Sequence, residues 1–386
     1  MRLLFLFSMS LAGTFVFALP APAESKPPVS QSISVAQLEQ TLAVSHAAND
    51  ADLAQQLAGC ELTERLSALE LTRLSGALPG EKSREALMML ADKSAFIAPP
   101  AAEIPGDPAP DAAATRQMLV HIVNYVNTTL RQLPNLIAAR EITSFEDRPA
   151  EDQLEATGTV SYSYEPLHLI GKSATDVTFR DRRELVEEAP HKDKEGKIGG
   201  LVTTGEFGPI LSTVVSDALK GKIMWGRWER GTNGRIAVFR YAVPDDKSNY
   251  RVQFCCILTG FSADGRPETE VFDQRASYHG EIAFNPNDGS ILRMTLEADM
   301  PSKSLVPNAG IAIDYGPVEI GGRSYIGPVR SVSNLQAHTT QNHGMFAQSD
   351  YRGPTKTYLN DIVFDHYRRF GSEVRILTGD NSTPPQ

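Results

Sequence analysis

Cysteine is scarce in this chain: Cys60, Cys255 and Cys256 are the whole complement of 386 residues. An odd count with two immediate neighbours excludes a fully paired disulfide framework. Cys255 and Cys256 lie in an extended stretch, 250–258, where neighbouring side chains point to opposite faces, so a bond between them would distort the strand. They read most simply as small buried hydrophobes, and the spacing leaves a bond to Cys60 open. No base or positive cluster stands nearby to activate a thiol. Positive charge is also short, with 37 Lys+Arg against 47 Asp+Glu and a net charge of −10. Without a basic stripe, the chain is poorly suited to nucleic acid or to anionic lipid surfaces. Past Leu19 no apolar run approaches the roughly 18 residues a spanning helix needs.

Catalytic signatures are missing as well. The sequence holds no Ser-x-x-Lys, no His-Glu-x-x-His, no glycine-rich phosphate loop and no dinucleotide fingerprint. The stretch Gly322 to Gly327 has one residue too many before its second glycine for a nucleophile elbow, and it falls between strands. The run from Asn285 to Gly289 looks like half a calcium loop without the distal acids, and a hairpin turn accounts for it. No cofactor is expected.

What is present begins with a targeting pattern. Arg2 precedes an apolar stretch reaching Leu19, and Ala21-Pro22-Ala23 offers small residues for cleavage before Glu24. Residues 1–23 are therefore expected to be a signal peptide, with an uncleaved N-terminal anchor as the alternative. No lipobox cysteine follows. Removing this segment deletes only Arg2 among the charged residues, so the mature chain is more acidic still and is expected to be soluble, periplasmic or secreted.

Residues 24–33 read as a flexible leader, and 34–98 as a helical region opened by the capping-box pattern Ser34-Val-Ala-Gln37. Leu38 and Leu42, Leu53 and Leu57, then Leu62, Leu66, Leu69 and Leu74 continue the helical period to Pro79-Gly80, and one more helix follows over 81–94. Five prolines mark 99–110 as a linker. Asp111 caps a helix over 111–134 whose apolar face includes Met118, Ile122, Tyr125, Val126 and Leu130; His121 beside it is read as structural.

From 135 to 376 the period becomes that of strands, expected at 139–145, 154–164, 173–185, 222–230, 235–243, 250–259, 276–284, 291–298, 310–320, 323–336 and 356–367. Asn233-Gly234, Asp264-Gly265, Asp288-Gly289 and Gly321-Gly322 supply hairpin turns, which imply an antiparallel meander. One amphipathic helix interrupts it, from Pro209 to Leu219 with Gly221 beyond the end. A disordered tail, 377–386, closes the chain. The expected fold is α+β: a helical N-terminal region, then a large curved antiparallel sheet, half-barrel-like, packed on one amphipathic helix.

Candidate site residues are few. His279 and Glu281 sit two apart on a strand and so share a face, which makes them the least implausible acid–base pair; a metal site would need a third ligand such as His168, His338, His343 or His366. Trp225 and Trp228, three apart, are expected on opposite faces; core packing for both is the leading reading, and an apolar groove with one of them at its rim is the alternative. Glu206 and Phe207 stand between Gly205 and Gly208, where backbone could approach a ligand; the simpler reading is a tight lead into the helix with an acid at its positive end.

The run Thr203-Thr204-Gly205-Glu206-Phe207-Gly208 and the helix after it resemble a pattern in exported bacterial proteins of unassigned function. So do Leu133-Pro-Asn135 with Arg140-Glu141, Tyr278-His-Gly280-Glu-Ile-Ala-Phe284, and Asp314-Tyr315-Gly316 through Arg330. At fold level the chain is similar to the half-barrel sheets of periplasmic lipoprotein carriers, which curve around a helix to hold acyl chains; its long helical preface departs from them. The leading expectation is a non-enzymatic envelope protein that binds an apolar or amphipathic ligand, such as a lipid, or an envelope partner in its sheet. A hydrolase of an envelope or extracellular polymer and a structural interaction protein are the alternatives.

Overall fold

The structure, a computed structural model, describes residues 31–44, 49–154, 160–186, 201, 203–231, 234–261, 264, 267–340 and 352–370. The signal-peptide segment, most of the leader and the tail lie outside the described residues. No described helix is long and apolar enough to cross a membrane.

The helical region forms much as its caps dictate. Ser34 N–H donates to Gln37 Oε1 at 2.8 Å and Gln37 N–H to Ser34 Oγ at 3.2 Å, a complete capping box at the start of α1, Val35–Val44. Asn49 caps α2, Asp50–Ala58, through the Asp52 N–H at 2.9 Å. Two expectations then fail. Leu62 does not continue a helix but ends β2, Cys60–Leu62, which pairs in parallel with β1, Gln31–Ile33, so the last leader residues are strand. Gly59 terminates α2 and sends the chain back along that short pairing. Leu69, in α3, Ala68–Ser75, faces outward at 67% exposure, because α3 buries Leu74 instead. In α4, Glu81–Lys93, the free N-terminal amides of Lys82 and Ser83 donate to the Asp50 carboxylate of α2.

Asp111 accepts from Ala113 and Ala114 N–H and starts α5, Ala112–Asn124. The helix then loosens into a π-helical turn, Tyr125–Thr129, and a 3-10 turn, Leu130–Gln132, before Pro134. His121 is structural as expected, its Nδ1 lying 3.1 Å from the Pro286 carbonyl.

The strands are β3 Leu136–Leu154, β4 Val160–Arg180, β5 Arg183–Val186, β6 Lys222–Gly231, β7 Gly234–Val243, β8 Arg251–Phe261, β9 Pro267–Arg275, β10 Ser277–Phe284, β11 Ile291–Asp299, β12 Asn308–Ile320, β13 Arg323–Thr340 and β14 Arg352–Arg369, with α6, Pro209–Ala218, between β5 and β6. Ten of them form one antiparallel sheet, not closed into a barrel, in the order β5-β4-β3-β14-β13-β12-β11-β10-β7-β6. The fold class is α+β. The expected break between 164 and 173 is absent: β4 runs straight through it and takes in parts of both expected strands. β9 was not expected at all; it pairs with β8 in a hairpin outside the main sheet, so β7 pairs with β10 directly. The meander is also interrupted at β14, which returns to lie between β13 and β3.

Helices lie against both faces of the sheet. On the inner face, α5 and α6 pack over β7, β10, β11 and β12 through residues such as Ile122, Val214, Phe239, Ile282, Met294 and Ile313. The sheet therefore carries two helices there, not the single helix expected. On the outer face, Met89 and Ala95, from α4 and just beyond it, meet Phe145, Ala312, Val332 and Leu359 of the central strands. Buried ions join these layers: the Arg330 guanidinium sits between Asp92 of α4 and Asp361, and Arg65 reaches Glu229 of β6 at 2.8 Å.

The proline-rich linker, 99–110, is a strap. It passes the edge strand β6 on its way from the outer helical layer to α5, and the Trp228 indole N–H donates to the Pro108 carbonyl at 2.9 Å. Arg235 lies over the same indole, 4.9 Å from the ring centroid, and its guanidinium reaches Asp107 at 3.5 Å.

Candidate functional site

His279 and Glu281 do share the outer face of β10, but they do not form an acid–base pair. The His279 ring faces two carboxylates, Asp299 at 2.9 Å and Glu297 at 3.8 Å. Glu281 is held by Arg227, at 2.7 and 2.6 Å, and by Arg240 at 3.2 Å. Burial pushes the Glu281 carboxyl up, yet the two guanidiniums outweigh it and leave it below its usual range. Arg227 also binds Glu229, so these groups form an ion ladder continuing to Arg65. Among the described residues no His, Cys, Asp or Glu side chains are grouped to hold a metal. His343 lies outside the described residues.

Trp225 and Trp228 depart from the expectation in a way their spacing concealed. They lie on the same side of the sheet, with ring centroids 4.7 Å apart and planes at 64°. A bulge at Gly226 is the cause: Trp225 pairs with Phe239, Arg227 with Val238 and Trp228 with Ala237, so one extra residue resets the alternation. Trp225 packs edge-on against Phe239, and Trp228 anchors the strap.

Cys60 is buried in the helical region and makes no disulfide; its thiol donates to the Gln56 carbonyl at 3.3 Å, and burial pushes its pKa up. Cys255 and Cys256 belong to β8, and their side chains lie outside those described.

The lead into α6 holds the most unusual chemistry. Gly205 and Gly208 adopt φ of 101° and 132°, a region that only glycine enters freely, and they fold 203–208 tightly against the sheet. Phe207 is 1% exposed and packs edge-on against Phe364, with Phe179 and Tyr367 alongside, as a core anchor. Glu206 is fully buried and does not cap the helix. Its Oε1 accepts from the Thr203 hydroxyl at 2.6 Å and the Ser331 hydroxyl at 3.5 Å, while the Tyr315 hydroxyl donates to its backbone carbonyl at 3.3 Å.

A second carboxyl, Glu184 of β5, comes within hydrogen-bonding reach of Glu206 and accepts from the Gly205 and Phe207 N–H groups at 2.8 and 3.4 Å. Burial, followed by the neighbouring Glu206 charge, pushes Glu184 up to about 8. Arg140 of β3, 2% exposed, donates from Nη2 to the Thr203 carbonyl at 2.9 Å. Three polar atoms in this cluster have no protein partner: Glu184 Oε1, Glu206 Oε2 and Arg140 Nε.

Sequence reasoning had singled out Glu206 but not Glu184 or the role of Arg140. A signal for Arg140 was present. Leu136, Ala138, Arg140 and Ile142 alternate onto one face, so a guanidinium stands in an apolar register. Nothing in the sequence links Glu184 to Glu206, since β5 reaches the loop only through tertiary packing.

Beside this cluster, α5 and α6 meet the sheet along an apolar seam. A cavity of about 10 Å³ opens there between Leu119 and Val123 of α5, Val215 of α6, and Phe239 and Ile282 of the sheet, with Leu219 just past the end of α6. Neither tryptophan lines it. The space holds at most about one water molecule. Leu219, at its mouth, is 52% exposed. A larger open groove, about 360 Å³, lies at the far end of α6 between Lys222, Lys247, Ser277 and Asp299. The resemblances noted in the sequence rest on the residues quoted for them: in comparisons with known proteins, no family model, no curated protein and no solved structure matches the chain.

Proposed function

We propose that this chain is an exported binding protein of the cell envelope, not an enzyme, and that it takes an apolar or amphipathic ligand along the seam between α5, α6 and the inner face of the sheet. The observation that carries this reading is the lining of that seam, which is hydrophobic apart from a tyrosine ring and ends at the half-exposed Leu219. An exposed leucine at the mouth of an apolar cavity favours entry of a hydrocarbon chain. The cavity is small, so binding requires the helices to part. The π-helical turn after α5 supplies a break at which that helix can shift, because its hydrogen-bond ladder is already out of register. The sequence pattern of residues 1–23 supports export, and the two arginines that hold Glu281 support binding over acid–base catalysis by that carboxylate.

The test is direct. Titrating the purified chain with an apolar naphthylamine fluorophore should give saturable enhancement, and lipid extracted from protein purified from its native host should be detectable by mass spectrometry. Leu219→Glu, at an exposed position, should weaken the fluorophore by about tenfold, because a carboxylate at an apolar mouth must be desolvated. No saturable signal and no co-purified lipid, or equal binding by Leu219→Glu, defeats the reading.

A further inference from the structure

We propose that Glu184 and Glu206 hold one exchangeable proton between them, and that releasing it loosens the 203–208 loop that seats α6 on the sheet. The geometry starts from which oxygens are already engaged. Glu184 Oε2 accepts the Gly205 and Phe207 N–H groups, and Glu206 Oε1 accepts the Thr203 and Ser331 hydroxyls. The remaining oxygens, Glu184 Oε1 and Glu206 Oε2, are buried without a donor, although the two carboxyls are within hydrogen-bonding reach of each other. A single proton on either one makes it the donor to the other and satisfies both.

Charge leads to the same count. The groups facing the pair are Arg140 from β3, Tyr315 from β12, Tyr367 from β14, and Tyr250 ahead of β8. Burial raises all three phenols, Tyr250 to about 12, so they stay neutral through the ordinary range. Arg140 is then the one cation among these groups, and its guanidinium is bonded to Thr203 and not to either carboxylate, so two negative charges would stand here without a directly bonded counter-charge. Glu206 is fully buried and Arg140 is 2% exposed, so solvent does not offset a second negative charge there.

The mechanical consequence follows from where the oxygens point. The same Glu184 carboxyl that shares the proton also holds the loop's Gly205 and Phe207 amides, and the loop runs straight into Pro209 of α6. When the proton leaves to solvent, two adjacent carboxylates repel across this joint, and the loop is the side free to move.

A raised folded-state pKa means that the stabilisation is complete below the ordinary glutamate value of 4.5 and disappears as pH rises through about 8. Between about pH 5 and about pH 9, at constant ionic strength, the thermal midpoint of the full chain should fall by about 5 °C. Glu184→Gln replaces the shared proton with an amide donor, so its midpoint should fall less than the wild type's over that interval, and Glu206→Gln should do the same. A protonated-carboxyl infrared band should be present in the wild type at about pH 7 and weaker in both variants, where any contribution from the buried Asp92 remains. Amide protection at Ser212, whose N–H donates to Gly208 in the first turn of α6, should drop about tenfold more with pH in the wild type than in Glu184→Gln. Parallel midpoint curves in all three proteins, or no such band in the wild type, would overturn the proposal. The infrared measurement needs no variant, so a substitution that fails to fold does not rescue it. The proton is held whether or not the seam takes a ligand, so these results and the fluorophore titration can fail separately.

Discussion

At the scale of single residues, the molecule relies on arginines placed where the helical layer meets the sheet. Arg330 separates two acids that would otherwise face each other in the interior, Asp92 at 0% and Asp361 at 4% exposure. Burial, then the Asp361 charge, raises Asp92, with Arg330 opposing both. Arg330→Met should cost about 3–5 kcal/mol in a denaturant titration, because it leaves both carboxyls buried without a counter-charge. Adding Asp92→Asn and Asp361→Asn should recover part of that loss, since the stranded charges go with their partner. Individual residues of this kind were the least legible in the sequence. Arg330 and Asp92 are 238 positions apart, and the chemistry of Glu206 depends on Glu184 across a packed loop. Local patterns could place Glu206 in a tight turn, but only tertiary packing supplies its partner.

At the scale of elements, legibility was much higher. The capping box at Ser34, the Asn49 and Asp111 caps and the glycine turns at 234, 289 and 321 each fix a boundary through bonds made within a few residues. The failures share one physical form, a local insertion or pairing that the period does not record. The bulge at Gly226 turned two tryptophans predicted for opposite faces onto one, and Leu62 left the helical count to pair with the leader. The linker was legible as proline-rich but not as a strap, because its partner Trp228 is 120 residues away. Trp228→Ala removes the donor to Pro108, the ring under Arg235 and part of the packing against Trp225. It should lower stability by about 1–3 kcal/mol and speed limited proteolysis within 99–110 well beyond cleavage elsewhere. Faster nicking confined to other loops would show that the strap is held some other way.

At the scale of the whole molecule, the sheet is a wall with helices on both sides. The two covers differ in emphasis. The outer one adds buried ion pairs to its apolar contacts. The inner one rests on a larger apolar cluster, with the buried Asp217 carboxylate of α6 accepting from Tyr278 of the sheet and the Glu184–Glu206 joint at the helix's other end. The position of β14 has a consequence for how such a wall is assembled. Its partners, β3 and β13, are long strands, and β14 bonds one along each of its sides, with Tyr358 opposite Glu146 on one and Leu335 on the other. A chain emerging from its N-terminus therefore carries two unpaired long edges until β14 arrives. Closing a contact across more than half the sequence is slow, and bare edges recruit other strands in the meantime. Deleting residues from 352 onward should thus yield aggregates in place of a smaller soluble domain, as size-exclusion chromatography would reveal. In refolding from denaturant, yield should depend steeply on protein concentration, because correct insertion of β14 competes with pairing between molecules.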